Sequence, residues 1–450
     1  MNNDLVIWLA LWVVSMALVF IIYSKQKIPN AGLVFTYLSM LTLNHWFGAL
    51  IYTLPWHFTI DYENVSLGFI HSVYGVMAFS FSSAVVAPLI LNKFVFPKFQ
   101  SKEKSYLPDK RLPRIYLLIG VVLYFFLPKS ILNLPTIGQL SQTGWNFLIM
   151  GICLMCWKEW HAEHGKGRMM LWLLVTALFP LFTMVNQGFM SFGMAALILI
   201  ALFIAAFYRP KWHILLGGIL AIYLGLSVFV TYFKYREELR DVVWEEGEKS
   251  FSARIQPIVT MVENFELLDL SNNEHLEKID GRLNQNTLVG ASINYLESGQ
   301  TNFAHGSTIL DSVMMLVPRA IWQEKPMRAG SGNLVTDYTG IKFADETSIS
   351  VGVGPVMEFY INFGTVGILI GFIIIGFVTA WFDIAAGRSL NRGDWQGFGF
   401  WFVSGIGCTN NTGSLLEVTG PVIFSITVCS LINKFLLPKF QGKLVHTKQT

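Results

Sequence analysis

The chain has 450 residues, of which 53% are hydrophobic and only 14% charged. A soluble domain carries about 25% charged residues, so a soluble fold of this length is excluded for want of a polar surface. The 32 Lys and Arg against 29 Asp and Glu leave a net charge of +3, too little to argue for nucleic acid.

The apolar residues gather into runs near the ~20 needed to span a bilayer. They predict about eleven membrane-spanning helices, at 5–23, 31–54, 66–92, 115–128, 133–157, 169–186, 189–208, 213–233, 355–382, 396–410 and 415–437. The first run has no basic region before it and no small-residue cleavage site, so it reads as a retained span and not a signal peptide. The fourth is short, between Pro113 and Pro128, and the tenth stops at the polar run Thr409–Thr412. All four cysteines, Cys153, Cys156, Cys408 and Cys429, lie inside apolar runs. They read as small buried hydrophobes, including the Cys153–Cys156 pair, and no disulfide framework follows.

Charge orients the spans, because basic residues stay on the cytoplasmic side. Lys25 and Lys27 follow span one; Lys93, Lys98, Lys102, Lys104, Lys110, Arg111 and Arg114 follow span three; Lys158, Lys166 and Arg168 follow span five. Arg209 and Lys211 follow span seven, Arg388 and Arg392 span nine, and Lys434, Lys439, Lys443 and Lys448 span eleven. The short even-numbered exits are nearly free of Lys and Arg, Lys129 excepted. The N-terminus is therefore expected outside and the C-terminus in the cytoplasm. The chain divides into residues 1–233 (spans one to eight), a large outer loop 234–354, and residues 355–450 (spans nine to eleven and a cytoplasmic tail). Acidic residues outnumber basic ones in the loop, which the charge rule permits for long loops. No internal repeat links the two halves, which weakens a transporter built from inverted repeats.

The loop reads as a folded unit. A charged helix over Tyr235–Glu248 continues span eight, and helical spacing of apolar residues predicts further amphipathic stretches at Ile258–Leu270, Asn284–Leu296 and Ser307–Val317, the last stopped by Pro318. From Arg328 to Gly354 glycines dominate, predicting irregular backbone able to lie close to a ligand. The apolar faces are expected to pack over the outer mouth of the bundle or on the bilayer surface.

Four cations of this acidic loop are candidate anion ligands: Arg282, Arg319, Lys325 and Arg328. Pro318 and Pro326 fix the backbone around Arg319 and Lys325, and Trp322 between them suits the membrane interface. Arginine fits a diphosphate, since its planar fork donates two parallel hydrogen bonds. The alternative is pairing with loop carboxylates; Arg236, Arg240 and Arg254 are read that way, against Glu237, Glu238 or Asp241. Glu358 lies a few residues into span nine, where an acid is costly and marks function. It suits a general base for a sugar hydroxyl, or a partner for a loop arginine; His305 and Asp311 are alternatives for the base. His45, Trp46, Asn186 and Gln187 are polar groups in the outer half of the spans, expected to satisfy each other or backbone groups. No Walker, dinucleotide, His-Glu-x-x-His or Asp-x-Asp motif is present, which argues against metal-dependent nucleotide-sugar chemistry.

The runs Gly281-Arg282-Leu283-Asn284, Pro318-Arg319…Trp322…Lys325-Pro326 and Glu358-Phe359-Tyr360-Ile361-Asn362-Phe363-Gly364 resemble bacterial O-antigen polymerases of the Wzy type, the oligosaccharide repeat-unit polymerases. The likeness covers roughly residues 234–382. It implies an all-α polytopic fold akin to metal-independent, lipid-dependent (GT-C-like) glycosyltransferases, without cofactor, in the bacterial inner membrane with a periplasmic loop. The substrate implied is an oligosaccharide linked to undecaprenyl diphosphate, with a chain-length regulator and a flippase as possible partners. Arg282 and Arg319 match the arginines expected on the diphosphates, Lys325 and Arg328 lie beside them, and Asn284, Trp322, Tyr360 and Asn362 are expected to line the substrate. An O-antigen ligase and a lipid-linked oligosaccharide flippase are the competing expectations.

Overall fold

A computed structural model describes residues 3–54, 61–95, 109–127, 139–162, 165–208, 212–244, 251–314, 317, 322, 331–342 and 351–438. Among these residues all regular structure is helical. The first seven helices are α1 Asn3–Lys25, α2 Leu33–Ile51, α3 Tyr62–Val95, α4 Leu112–Phe125, α5 Gln139–Trp160, α6 Lys166–Gln187 and α7 Ser191–Tyr208. Then comes α8 Trp212–Trp244, and the loop supplies α9 Phe251–Glu263, α10 Asn273–Leu283, α11 Asn286–Glu297, α12 Ser307–Met314 and α13 Ser331–Thr339. The chain closes with α14 Gly354–Asn391, α15 Trp395–Ile406 and α16 Leu415–Leu436.

Each of the eleven predicted segments coincides with one of α1–α8 and α14–α16. Eight of these helices (α1, α2, α3, α6, α7, α8, α14 and α16) are long and apolar enough to cross a membrane. The protein is a multi-pass all-helical membrane protein. Pro113 does not bound α4 but sits in its first turn, where a missing N–H breaks no hydrogen bond. Two loop expectations change. The Ile258–Leu270 helix ends at Glu263, because the amides of Glu266 and Leu268 bond instead to the Thr231 and Ser227 hydroxyls of α8 (3.3 and 2.9 Å). The glycine-rich return contains α13, whose Ser331 bonds to Glu417 and whose Val335 is fully buried.

The core is built on α3, which packs against α14 and against the loop helix α11. Small residues let the backbones meet. A Cβ on Gly68 would stand 2.1 Å from the Asn286 carbonyl oxygen, and one on Gly290 1.9 Å from that of Asn64. Close helix contact through small residues is how membrane helices gain packing when lipid offers no hydrophobic drive. The outer loop is thus part of the bundle and not only a cover over it.

Two irregularities shape the interior. In α2 the backbone loosens to a π-helix over Thr42–Trp46. The Asn44 carbonyl accepts from the Gln285 amide (2.8 Å) and the His45 carbonyl from the Asn286 side chain (2.8 Å). At the other end, Asp383 of α14 is fully buried and accepts from the amides of Ala31, Leu33 and Val34 (2.7, 3.0 and 3.4 Å), closing the N-terminus of α2.

The larger break is in α14, at Phe363 (φ −144°, ψ 22°) and Gly364 (φ 62°, ψ −151°). The Gly364 conformation is essentially closed to residues with a Cβ. Gly364→Ala is therefore expected to cost about 1–3 kcal/mol. Gly420→Ala, in the interior of α16 with open space around it, is expected to stabilise by about 0.5–1 kcal/mol. Thermal unfolding of the full-length protein in detergent measures both, and equal shifts would mean the break is not strained.

Candidate functional site

The break in α14 makes a short first arm, Gly354–Asn362, which carries Glu358. The chain then turns back on itself. A Cβ on Gly367 would lie 2.4 Å from the Phe359 carbonyl oxygen, and Gly371 is pressed against the Phe359 ring. A helix that ends inside the bundle leaves carbonyls without partners, and the outer loop supplies them. The Ala304 amide donates to the Ile361 carbonyl (2.8 Å). The Asn362 side chain donates to the Glu358 carbonyl and to the Thr308 hydroxyl (both 2.7 Å) and accepts from the Gly306 amide (2.8 Å).

Glu358 itself is 1% exposed. Its Oε2 accepts from the Leu415 amide at the start of α16 (2.5 Å), and the Thr308 hydroxyl and the Glu417 carboxylate are close by. Glu417 closes a capping box with Ser414 and accepts from the amide and hydroxyl of Ser331 (3.3 and 2.9 Å). Two carboxylates thus share the positive end of one helix. Among the described residues Glu358 forms no ion pair with Lys or Arg; backbone and hydroxyl groups solvate it instead.

A cavity of about 760 Å³ opens beside the arm that carries Glu358, with Pro355, Phe359 and Leu415 in its lining. Ile309, Pro355 and Leu415 line one end, and Tyr37 and Thr379 the other. From Val366 to Thr379 it follows α14 for roughly 20 Å, at 1.5 Å per residue. Its walls are almost wholly apolar. Val366, Ile370 and Ile374 on one rim are 61, 55 and 57% exposed, which in a membrane means exposed to lipid.

The other candidates fall in three places. Tyr360 donates to Glu297 (3.0 Å), and its ring meets His71 edge-on. His305 is exposed, with φ 47°, just before α12; Asp311 is half-buried on α12, as is Trp322 beyond it. Neither His305 nor Asp311 is bonded to the Glu358 cluster by any contact among the described residues that carry it. Asn284 belongs to a separate buried chain of hydrogen bonds, running from Tyr52 through Asp280, Asn284 and Asn286 to His45 and Ser72. His45 Nδ1 thus meets Asn286 of the loop and Ser72 of α3, while Gln187 bonds to Tyr124 and Trp46 to the Leu9 carbonyl. The turn that carries Asn284 also links to the site, since the Gln285 side chain lies against Gly354. Arg319, Lys325 and Arg328 lie outside the described residues.

Arg282 sits over the Phe233 ring with Arg236, and Arg240 is near both. Among the described residues Arg236 and Arg254 form no ion pair with Glu237, Glu238 or Asp241, whereas Arg240 does feel Glu237. Glu266 pairs with Lys234 (2.7 Å) and His275 (3.3 Å). These partners, Lys234 first, hold its carboxyl below the ordinary value of 4.5. A depressed carboxyl contributes stability that is complete above its unfolded value and is lost as pH falls through the folded one. Hydrogen exchange at the Glu266 and Leu268 amides is expected to quicken as pH drops below 4.5, after correction for intrinsic rates, and Glu266→Gln should remove that pH response.

Of the residues singled out in the sequence, Glu358 and Asn362 come together in this hydrogen-bonded cluster, while Tyr360 and Asn284 make their contacts elsewhere. Sequence reasoning missed Thr308, Gln285 and Asn286, for which no local signal exists. It missed Glu417 despite one: Ser414-Leu415-Leu416-Glu417 has capping-box spacing.

No curated protein and no solved structure matches the chain. A family model, described as a domain of unknown function (DUF8712), matches residues 81–393. That stretch takes in the broken first arm of α14, the whole outer loop and the cavity's α14 wall, so the chain belongs to the DUF8712 family.

Proposed function

We propose that this protein is a glycan polymerase acting on lipid-linked oligosaccharides at the outer face of a bacterial inner membrane. The observation that carries the reading is the apolar cavity that runs along α14 and is lined at one end by Pro355, Phe359 and Leu415, which pack around the buried Glu358. A long apolar channel with a buried acid packed behind one end suits a substrate with an isoprenoid tail and a polar head. In this reading all eleven apolar segments span the membrane, with the N-terminus outside and the C-terminus in the cytoplasm. The arrangement is that of a metal-independent, lipid-dependent glycosyltransferase.

The reaction follows from the donor's chemistry. A hydroxyl of the acceptor sugar attacks the anomeric carbon of the donor glycan. The bond from that carbon to the diphosphate oxygen breaks, and the lipid diphosphate leaves. Glu358 takes the hydroxyl proton. Thr308, and the Leu415 amide that bonds to Oε2, hold the carboxylate in place. Arg282, Arg319, Lys325 and Arg328 stabilise the charge that develops on the diphosphate, the role that fixed cations play where no metal does so. A flippase would need polar groups through the depth of its path, whereas the walls here are almost wholly apolar.

General base catalysis supplies about 10²- to 10⁴-fold in rate. Glu358→Gln is expected to reduce long-chain glycan by at least ~100-fold, and Arg319→Ala to abolish it, with both proteins still present in the membrane. Gel profiles of the surface glycan and immunoblots of the membrane read this out. Single repeats on the final acceptor are the expected product. Unaltered chain lengths would remove the reading, and accumulated lipid-linked polymer would replace it with a ligase.

A further inference from the structure

The short helix α12 is amphipathic the wrong way round for a water surface. Thr308 and Ser312, one turn apart on one side, are buried, whereas Leu310 and Val313 on the opposite side are 57 and 56% exposed. A helix that meets water shows its polar side and hides its apolar one. Here the hydroxyls face in and the aliphatic side chains face out. α12 packs against α16 and α14, and its buried side faces them. Thr308 lies beside Glu358, and Ile309 enters the lining of the cavity at the end it shares with Pro355 and Leu415. The exposed side has apolar company at the rim of the same cavity. Phe363 and Val366 line it and are themselves exposed, and a Cβ on Gly306 would stand 3.1 Å from the Phe363 ring.

The turn before α12 is built to move. His305 (φ 47°) and Gly306 (φ 90°) are successive residues in the left-handed region, which a residue with a Cβ enters at a cost. Three hydrogen bonds hold this turn to the short arm of α14. The Ala304 amide donates to the Ile361 carbonyl (2.8 Å), the Gly306 amide to the Asn362 side chain (2.8 Å), and that side chain to the Thr308 hydroxyl (2.7 Å). All three end on two consecutive residues, Ile361 and Asn362. Hinges take this form, in which a few residues at the end of an element absorb the change in φ and ψ. Beneath the turn Glu358 is sealed, at 1% exposure.

We propose that α12 is a lid over the end of the channel nearest Glu358, hinged at His305–Gly306, latched by Asn362 and Thr308, and resting with Leu310 and Val313 in the bilayer. Lipid is the occupant of the exposed side, because Phe363, against Gly306, joins that side to the exposed rim of Val366, Ile370 and Ile374. An apolar helix face continuous with such a rim lies among acyl chains. Lifting the lid takes Thr308 away from the acid and Ile309 out of the channel wall. One movement thus opens the channel end and uncovers Glu358. That the uncovered acid then meets a substrate hydroxyl rests on the polymerase reading; the lid itself does not.

The test uses the full-length protein in phosphatidylcholine nanodiscs. Ser312→Cys reports on the buried side, through its rate of reaction with a charged, water-borne methanethiosulfonate. The four native cysteines are buried, and the unsubstituted protein gives the background. A neutral hydrogen bond shifts an equilibrium by a few-fold. Asn362→Ala removes two of the three bonds and is expected to speed the labelling of Ser312→Cys by about 10-fold. Thr308→Val removes one with little change of shape, should speed it by about 3-fold, and serves if Asn362→Ala does not fold. A nitroxide on Leu310→Cys is expected to collide more with dissolved oxygen than with a water-soluble nickel chelate, as a lipid-facing site does. Labelling of Ser312→Cys that is equally fast with the latch intact and with either latch variant overturns the lid. More collisions with the chelate at Leu310→Cys put that side in water and overturn its place in the bilayer. The labelling needs no substrate, so it can succeed where Glu358→Gln leaves glycan length unaltered and fail where it does not.

Discussion

A backbone carbonyl inside a membrane must find a donor within the protein, because lipid offers none. Much of this structure follows from where that rule is strained. The break at Phe363–Gly364 would strand the last carbonyls of a short helix. The loop residues 304–308 and the Asn362 side chain meet them. The same contacts place Thr308 beside Glu358. The need to satisfy the backbone and the assembly of the acid's surroundings are one set of hydrogen bonds.

The same logic holds the loop in the bundle. α11 meets α3 through Gly68 and Gly290 at backbone distance, and Asn294 bonds to Asn64 (2.7 Å). The buried chain from Tyr52 to His45 passes through three residues of the loop, Asp280, Asn284 and Asn286. A polar network in low dielectric is costly when half satisfied, so these bonds stand or fall together. What began as a hydrophilic segment between two spans is therefore structural for spans it does not adjoin in sequence.

Hydropathy sufficed for the helical segments, because each span must solve the bilayer problem alone and records the solution locally. Glu358 and Asn362 were also visible, as polar residues where polar residues cost energy. The rest was written in contacts between distant residues. Asn286 looks like any loop asparagine until the chain folds it onto His45. Asp383 was set at the exit of its span, yet it is buried and tied to the start of α2, some 350 residues away. The α14 break had a local trace in Phe363-Gly364, but glycine is common in membrane helices and does not by itself announce a turn.

The π-helical turn in α2 has a bearing on how the protein is made. His45 and its partner Asn286 are 241 residues apart. At a synthesis rate of about 5–20 residues per second, roughly 10–50 s separate their emergence. Through that interval α2 and α3 are already in the membrane, with the carbonyls of Asn44 and His45 and the bare face of Gly68 unfilled. The amino-terminal half is thus an incomplete receptor that waits for a segment made much later. Biogenesis must shelter that cleft, by lipid, by water or by an insertion factor, until the loop arrives to close it.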